Sequence, residues 1–190
     1  MRLVLSDISV MTETTKLPGS VERFVLHWGE MGGFWGVNRS VAQIHAFLMT
    51  AERPMTAEDI ATALEMARSN VSNSLKELLN WNLIRRVPIR GDRRDHFEAE
   101  TDVWEVASRI AAGRKAKEID PALETLRQCV AEAENDPNVH PVALKRLKEM
   151  LEFTETIDRW YGQITTVARP KLMALLKLGA RIATLIPGGR

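Results

Sequence analysis

The stretch that decides the fold runs from Thr56 to Glu100 and reads TAEDIATALEMARSNVSNSLKELLNWNLIRRVPIRGDRRDHFEAE. Its first part predicts a short helix, because Thr56 can cap a helix start and Asp59 stands three residues later, as in a capping box. Only Glu65-Met66 separates this helix from the next apolar periodic segment. Two helices joined by so short a link are typical of a helix-turn-helix.

The second helix of this pair is predicted from Ala67 to Trp81, and Asn82 just past its end can adopt the left-handed conformation of a C-cap residue. This helix has two contrasting faces. Apolar residues at helical spacing form the inner stripe, namely Val71, Leu75, Leu78 and Leu79. The opposite side carries amides, hydroxyls and cations, namely Arg68, Ser69, Asn70, Ser72, Asn73, Lys76 and Asn80. Asparagine can bond adenine edges, and Ser and Lys can bond phosphates or bases. The pattern therefore indicates either a DNA-reading face or a merely solvated one.

A basic hairpin follows the second helix. Strands are predicted at Leu83–Arg90, with alternating side chains, and at Arg93–Ala99, and Gly91-Asp92 is a turn signal between them. From Arg85 to Arg94 the chain has one aspartate and five arginines, namely Arg85, Arg86, Arg90, Arg93 and Arg94. The whole chain carries a net charge of only +1, so this positive charge is a local concentration. A basic wing along DNA phosphates is favoured over an edge strand charged to prevent strand addition.

Helix, turn, helix and basic hairpin in this order predict a winged helix-turn-helix. The fold class is mainly α with a small β-hairpin wing, followed by long dimerisation helices. Three regions are expected: a flexible arm at 1–19, the DNA-binding domain with its N-terminal helix at 20–101, and a helical linker and dimerisation region at 102–187.

The same residues resemble a family. The run Leu64–Ile84, followed by Arg85-Arg86-Val87-Pro88 and Gly91-Asp92-Arg93-Arg94, is similar to MarR-type winged-helix transcription regulators. The run Phe97–Trp104, with Gly36 and Arg39 before the helix Ser40–Ala51, resembles their GbsR-like branch. The resemblance covers about residues 21–135 and implies a homodimer that binds pseudo-palindromic operators and responds to small molecules. For some GbsR-like members it implies control of osmoprotectant genes.

One departure from the usual pattern concerns the turn. Glu65 and Ala67 stand where many helix-turn-helix units have Gly and then Ser. A serine would accept a hydrogen bond from the first turn of the second helix. Its absence weakens the expected N-cap of the recognition helix.

The flanking segments predict further helices. One is expected from Val21 to about Gly32, broken by Gly32-Gly33 and Gly36, and another is capped by Asn38 and runs to about Ala51. Asp102 is expected to cap a long helix, with a kink or restart at Pro121 and Asp120 as a new N-cap. A last long helix is predicted at Val142–Arg169, after which Pro170 kinks it or starts another.

The apolar excess of the last helices predicts a homodimer. Apolar residues recur through Leu144–Ile164 at the spacing of packed helices, and they surround most of Leu172–Leu185. The alternative is binding to a membrane surface through Lys171, Lys177 and Arg181.

Composition bounds the remaining possibilities. A chain of 190 residues with 45% hydrophobic content can form one domain, or a small domain with appended helices. Cys129 is the only cysteine, which excludes an internal disulfide and fits a reducing cytoplasm. No secretory signal or membrane span is expected, and Met11 is a candidate for the true start. No nucleophile–base–acid constellation is visible, and His27 with Glu30 lacks a third ligand, so we expect no enzyme, metal or cofactor.

An effector site is the remaining candidate. Trp28, Trp35 and Trp104, with Glu30 as a nearby acid, could cage a cation through their ring faces. The resemblance to GbsR-like proteins suggests a quaternary ammonium such as choline. The alternative is that these rings only fill the junction between two layers of helices.

The sequence thus predicts a sequence-specific DNA-binding transcription regulator, a repressor relieved by a small molecule. Each recognition helix would enter a major groove, with half-sites about 34 Å apart. The alternative from another class is a winged helix used for protein–protein assembly, with no DNA role.

Overall fold

A computed structural model describes residues 17–179. Most of the expected N-terminal arm, and the last part of the apolar segment Leu172–Leu185, lie outside the described residues. The chain divides into two compact units, Met1–Gly113 and Arg114–Arg190.

The first unit holds a winged helix-turn-helix preceded by one helix. Its elements are α1 (Gly19–Phe34), α2 (Arg39–Thr50), β1 (Met55–Thr56), α3 (Ala57–Ala63), α4 (Arg68–Asn80), β2 (Ile84–Val87), β3 (His96–Ala99) and α5 (Val103–Arg114). The second unit continues with a π-helical segment (Lys115–Ile119), α6 (Asp120–Asn135), α7 (Pro141–Thr166) and α8 (Arg169–Leu178). The predicted fold class is confirmed.

The predicted helix starts are confirmed where a polar side chain caps them. Thr56 Oγ1 accepts a hydrogen bond from the Asp59 amide (3.1 Å), and Asp59 Oδ2 accepts one from the Thr56 amide (3.0 Å). Asn38 Oδ1 accepts from the Ser40 amide at 2.8 Å, and Asp102 Oδ1 accepts from the Trp104 amide at 2.9 Å. Each side chain satisfies a backbone N–H that the helix itself leaves without a partner.

The prediction that Gly32-Gly33 breaks the first helix is wrong. α1 continues to Phe34 and ends before Gly36, whose φ is +73°. A Cβ on Gly32 would lie 2.5 Å from the Ala42 Cβ, and one on Gly29 would lie 2.5 Å from the Gln43 Cγ. These glycines therefore serve the close packing of α1 on α2, which outweighs their low helix propensity.

The sheet has three strands, whereas two were predicted. β3 lies between β1 and β2, and both pairs are antiparallel, with Phe97 opposite Met55 on one side and Arg86 on the other. A strand of two residues carries no alternation that a sequence could reveal.

The wing strands are shorter than predicted, and their side chains do not alternate as expected. β2 ends at Val87 because Pro88 has no N–H to donate. Leu83 and Ile84 are both buried, because Leu83 still belongs to the end of α4. Its amide donates to the Leu78 carbonyl across Asn82, whose φ is +55°, as in a Schellman motif. The predicted left-handed C-cap at Asn82 is thus confirmed.

The core of the first unit is built around α2. Every residue from Val41 to Leu48 is buried, because α1 and α4 both pack against this helix. The fully buried side chains at its centre are Val25, Ile44, Ile60, Val71 and Leu78.

The predicted restart at Pro121, with Asp120 as a new N-cap, is not found. The backbone remains helical through Ile119, and the Asp120 amide bonds the Lys115 carbonyl in a π turn. Pro121 lies in the first turn of α6, where its missing N–H is absorbed by this wider turn. Lys115 Nζ donates to Asp120 (2.5 Å) and to Asp158 of α7 (2.8 Å), and these hydrogen bonds hold the pKa of Lys115 above its ordinary value.

Two faces of α7 are apolar. The predicted seam is half-buried at Leu144, Leu147, Leu151, Thr154, Tyr161 and Ile164, whereas Ile157, which was also expected in the seam, is exposed. α7 packs against α6. A second stripe, defined here as the α7 stripe, is exposed and comprises Met150, Phe153, Ile157 and Trp160. α8 is a separate helix after Val167, so Pro170 stands at a helix start.

We expect stability to depend on pH through His45. This side chain is 3% exposed, its Nε2 has no hydrogen-bond partner among the described residues, and burial lowers its pKa from 6.5 to about 4. The unfolded imidazole binds a proton near pH 6.5 and the folded one only near pH 4. The contribution of the neutral His45 to the free energy of unfolding is therefore complete above pH 6.5. It is lost as the pH falls from 6.5 to about 4. At pH 5 the loss is about 2 kcal/mol.

Urea unfolding at neutral pH and at pH 5 measures this loss. His45→Leu should reduce the pH dependence by about that amount, whereas substitution of the exposed His27 by Gln should leave it unchanged. An unaltered pH dependence in His45→Leu would contradict the assignment.

Candidate nucleic-acid interface

The recognition helix α4 separates its two faces as its sequence predicts. Val71, Leu75 and Leu78 are buried in the core of the first unit. The exposed side chains on the other side are Ser69, Asn73, Lys76 and Asn80. This face offers hydroxyl, amide and ammonium groups to solvent, with no apolar side chain among these four.

The turn before α4 carries backbone strain. Glu65 has a φ of +51°, a left-handed conformation that is costly for a residue with a Cβ. Ala67 occupies the N-cap position of α4 and supplies no side-chain hydrogen bond. The departure from the Gly and Ser pattern thus leaves a strained turn and an uncapped helix start.

Three of the predicted DNA contacts on α4 have other surroundings. Asn70 Nδ2 donates to Ser40 Oγ of α2 at 2.8 Å, so this amide is engaged within the protein. Ser72 is half-buried. Arg68 is exposed, with its Nη1 3.8 Å from the Glu58 carboxylate.

Three of the five wing arginines are paired with carboxylates. Arg85 Nε donates to Glu98 Oε1 at 2.6 Å across the β2–β3 ladder. Arg86 Nε lies 3.5 Å from Asp95 Oδ2.

Asp92 and Arg94 form the closest of these pairs. Arg94 donates to Asp92 through Nε (3.0 Å), Nη2 (2.6 Å) and its backbone amide (2.9 Å). These bonds from Arg94 hold the pKa of Asp92 well below its usual range. The carboxylate is therefore charged throughout the physiological range and offsets the Arg94 charge.

The remaining two arginines, Arg90 and Arg93, lie at the tip of the wing. Both are exposed, and within residues 17–179 neither has a carboxylate oxygen within 4.0 Å. The turn between them is closed by the Asp92 amide donating to the Ile89 carbonyl (3.1 Å), with Gly91 at φ +86°. The unpaired positive charge is thus concentrated at the tip.

The predicted effector residues do not line the open cavity of the first unit. Trp28 packs against Phe24 with ring centroids 5.5 Å apart, Trp35 is half-exposed, and Glu30 is exposed. A cavity of about 360 Å³ lies between the end of α2, the loop after it, the β2–β3 ladder and Arg109 of α5. None of Trp28, Glu30, Trp35 and Trp104 lines it.

Among residues 17–179, no three His, Cys, Asp or Glu side chains are placed to hold a metal ion together. No helix in that part of the chain has the length and hydrophobicity to cross a membrane.

The fold of the first unit is a winged helix-turn-helix, and it exposes the polar face of α4 and the basic tip of the wing. Residues 35–95 match the model of the MarR family. The chain is 23% identical over 150 residues to the putative HTH-type transcriptional regulator YvaV of Bacillus subtilis (strain 168). The aligned region covers 73% of this chain and 83% of that protein. Over residues 35–95 the chain is therefore similar to the winged helix-turn-helix of the MarR family. The GbsR-like subtype remains a prediction.

Solved structures show the same fold. A crystal structure described as a transcriptional regulator matches with a TM-score of 0.60 and 17% identity, over 76% of this chain and 94% of that one. A DNA complex of S. aureus MepR matches with a TM-score of only 0.35 and 13% identity over 87% of this chain, and we draw nothing from it.

We predict that Arg93 and Arg85 differ as DNA contacts although their substitution removes the same charge. Arg93→Ala removes an unpaired cation and should flatten the dependence of log affinity on log salt by about 0.9 on any DNA sequence. Arg85→Ala removes a cation already paired with Glu98 and should change this slope by clearly less. Fluorescence anisotropy over a salt series measures both slopes, and equal slopes would show that the pairing does not decide which arginine contacts DNA.

Proposed function

We propose that the protein is a sequence-specific, double-stranded DNA-binding transcription regulator that acts in the cytoplasm as a homodimeric repressor and is released by a small molecule. The observation that carries this proposal is the pairing of two exposed surfaces in one unit. The face of α4 formed by Ser69, Asn73, Lys76 and Asn80 can read bases, and the unpaired Arg90 and Arg93 can bind phosphates.

The recognition helix supplies specificity in this proposal. Inserted into the major groove, α4 would present the Asn73 amide to an adenine edge, where it can donate and accept at once. Lys76 and Ser69 would bond nearby phosphates or bases. The wing tip would lie along the flanking backbone and add affinity without sequence preference.

The proposal includes a second copy of the chain, with residues 20–101 as reading head and 102–187 as the dimerisation region. The α7 stripe, whose members are between 39% and 67% exposed, is a contiguous apolar surface on one side of α7. Burying it against its copy would remove apolar area from water. A dimer can then place two recognition helices about 34 Å apart, one in each half-site.

A mobility-shift assay with the DNA upstream of the protein's own gene tests the function directly. The proposal expects a discrete complex that survives an excess of random duplex. The assembly alternative expects no DNA complex. The wing offers an observation against that alternative, because a protein-assembly module has no need of unpaired arginines beside a polar helix face.

We expect Asn73→Ala to separate base reading from backbone contact. Loss of the amide should cost roughly 1–3 kcal/mol on the operator and little on random DNA. Lys76→Gln is the matched comparison, since loss of a phosphate contact weakens both. Anisotropy titrations with the two duplexes provide the measurement. If Asn73→Ala weakens both equally, Asn73 contacts the backbone.

We expect the α7 stripe to hold the dimer together. Light scattering at micromolar concentration should give twice the chain mass of 21.4 kDa. Phe153→Glu with Trp160→Glu should give the monomer, because each places a charge in an apolar contact. Gln163→Glu, off the stripe on the same helix, should remain dimeric. A monomeric wild-type protein would contradict binding to two half-sites.

The effector is proposed to be a quaternary ammonium bound by Trp28, Trp35 and Trp104 with Glu30. A ligand with greater affinity for a state that does not bind DNA would shift the protein towards it. Titration with choline, betaine and unrelated amines, followed by Trp fluorescence and by DNA release, measures both effects. A saturable change that also releases DNA is expected. A change that leaves DNA binding intact, or no change, would return these rings to a packing role.

A further inference from the structure

The start of the recognition helix has no side-chain cap, although Val71 in its first turn is buried in the core. Ala67 provides no cap for α4, and Glu65 holds a left-handed backbone conformation just before it. An uncapped first turn frays more readily than a capped one, because its amide groups lack partners. The exposed Ser69 and Asn73 stand within or just after this turn. The positions of Ser69 and Asn73 therefore depend on the other contacts that hold the first turn of α4 in place.

A hydrogen bond from another helix holds this turn. Asn70 Nδ2 donates to Ser40 Oγ at 2.8 Å, and the two residues are 30 positions apart in the sequence. Ser40 is itself fixed, because its amide donates to Asn38 Oδ1 at 2.8 Å in the cap of α2. α2 is the most buried helix of the unit, with eight consecutive buried residues. The bond therefore ties the start of α4 to a rigid support.

The other polar contact of this turn is weaker. Arg68 Nη1 lies 3.8 Å from Glu58 Oε2, and the two side chains are 69% and 62% exposed. Ion pairs this exposed contribute little and are screened by salt. They do not fix the direction of a helix.

We propose that Asn70 is a positioning residue, which with Ser40 sets the orientation of the recognition helix and does not itself contact DNA. This inference rests on the proposed DNA-binding function. Asn70 would thus influence sequence preference through Ser69 and Asn73. A bidentate contact to a base edge requires a narrow geometry, so a small displacement of the first turn weakens it while phosphate contacts adapt.

A double-mutant cycle tests the pair. Asn70→Ala and Ser40→Ala should each lower the ratio of operator to random-DNA affinity by about fivefold, the effect of losing one hydrogen bond. The double variant should be no worse than either single one, because both remove the same interaction. Ser40→Thr keeps the hydroxyl and should retain the ratio. Asn73→Ala, combined with Asn70→Ala, should lower the ratio further.

Hydrogen exchange of the free protein provides a readout that needs no DNA. The amides of residues 71–74, which are the first to donate to carbonyls within the helix, should exchange faster in both single variants. Ala67→Ser, added to Asn70→Ala, supplies a local cap and should slow this exchange again. The affinity ratio should stay low, because a local cap does not restore the tie to α2.

Several results would overturn the proposal. A loss of affinity ratio in Asn70→Ala with none in Ser40→Ala would make Asn70 a direct DNA contact. The same conclusion would follow if the effects of Asn70→Ala and Ser40→Ala on the affinity ratio multiply in the double variant. Recovery of the ratio by Ala67→Ser would reduce the role of Asn70 to capping. If the wild-type protein does not distinguish operator from random DNA, the proposed function fails. Unchanged amide hydrogen exchange in both variants would instead show that the Asn70–Ser40 hydrogen bond does not hold the first turn of α4.

Discussion

The burial of α2 between α1 and α4 is the constraint on which the first unit depends. Eight consecutive residues of this helix are buried, and the approach of α1 requires the absence of side chains at Gly29 and Gly32. A Cβ at either glycine would overlap α2. α4 also packs against α2, and its Val71, Leu75 and Leu78 are buried in the same core. The polar face of α4 must then point to solvent, where it is available to a partner.

The charge of the wing is distributed by pairing within the protein. Glu98 and Asp95, which belong to the return strand and its approach, neutralise Arg85 and Arg86 along the ladder, and Asp92 neutralises Arg94. The two tip arginines keep their charge. A wing charged along its whole length would attract any phosphate chain equally. In the proposed DNA complex, a wing charged at the tip would limit the non-specific affinity and leave discrimination between sequences to α4.

Local signals in the sequence were sufficient for much of this fold. Thr56 and Asp59 stand at the spacing of a capping box, Asn82 tolerates a positive φ, and the periodicity of Val71, Leu75 and Leu78 indicates one buried face. Each of these depends on residues within a few positions of one another, so a single sequence is enough to identify them.

Features set by distant residues could not be predicted in the same way. The two-residue β1 exists because β3 offers it a partner, and Gly32 stays helical because Ala42 lies against it. Counting arginines could not show which were paired, since the Arg85–Glu98 contact depends on strand register. The Ser40–Asn70 bond spans 30 residues, so an exposed amide was expected where an engaged one is found. The π turn at Lys115–Ile119 has no local signature beyond Pro121.

In the proposed mode of DNA binding, one face of α4 reads bases while the wing tip contacts the DNA backbone beside it. Footprinting on the DNA upstream of the protein's own gene tests both parts together, with hydroxyl radicals to probe the backbone and methylation interference to probe major-groove purines. We expect interference at two sites about one helical turn apart, each flanked by a protected stretch of backbone. Weak, uniform protection without interference at any purine would contradict it, because that pattern describes a basic surface that does not read sequence.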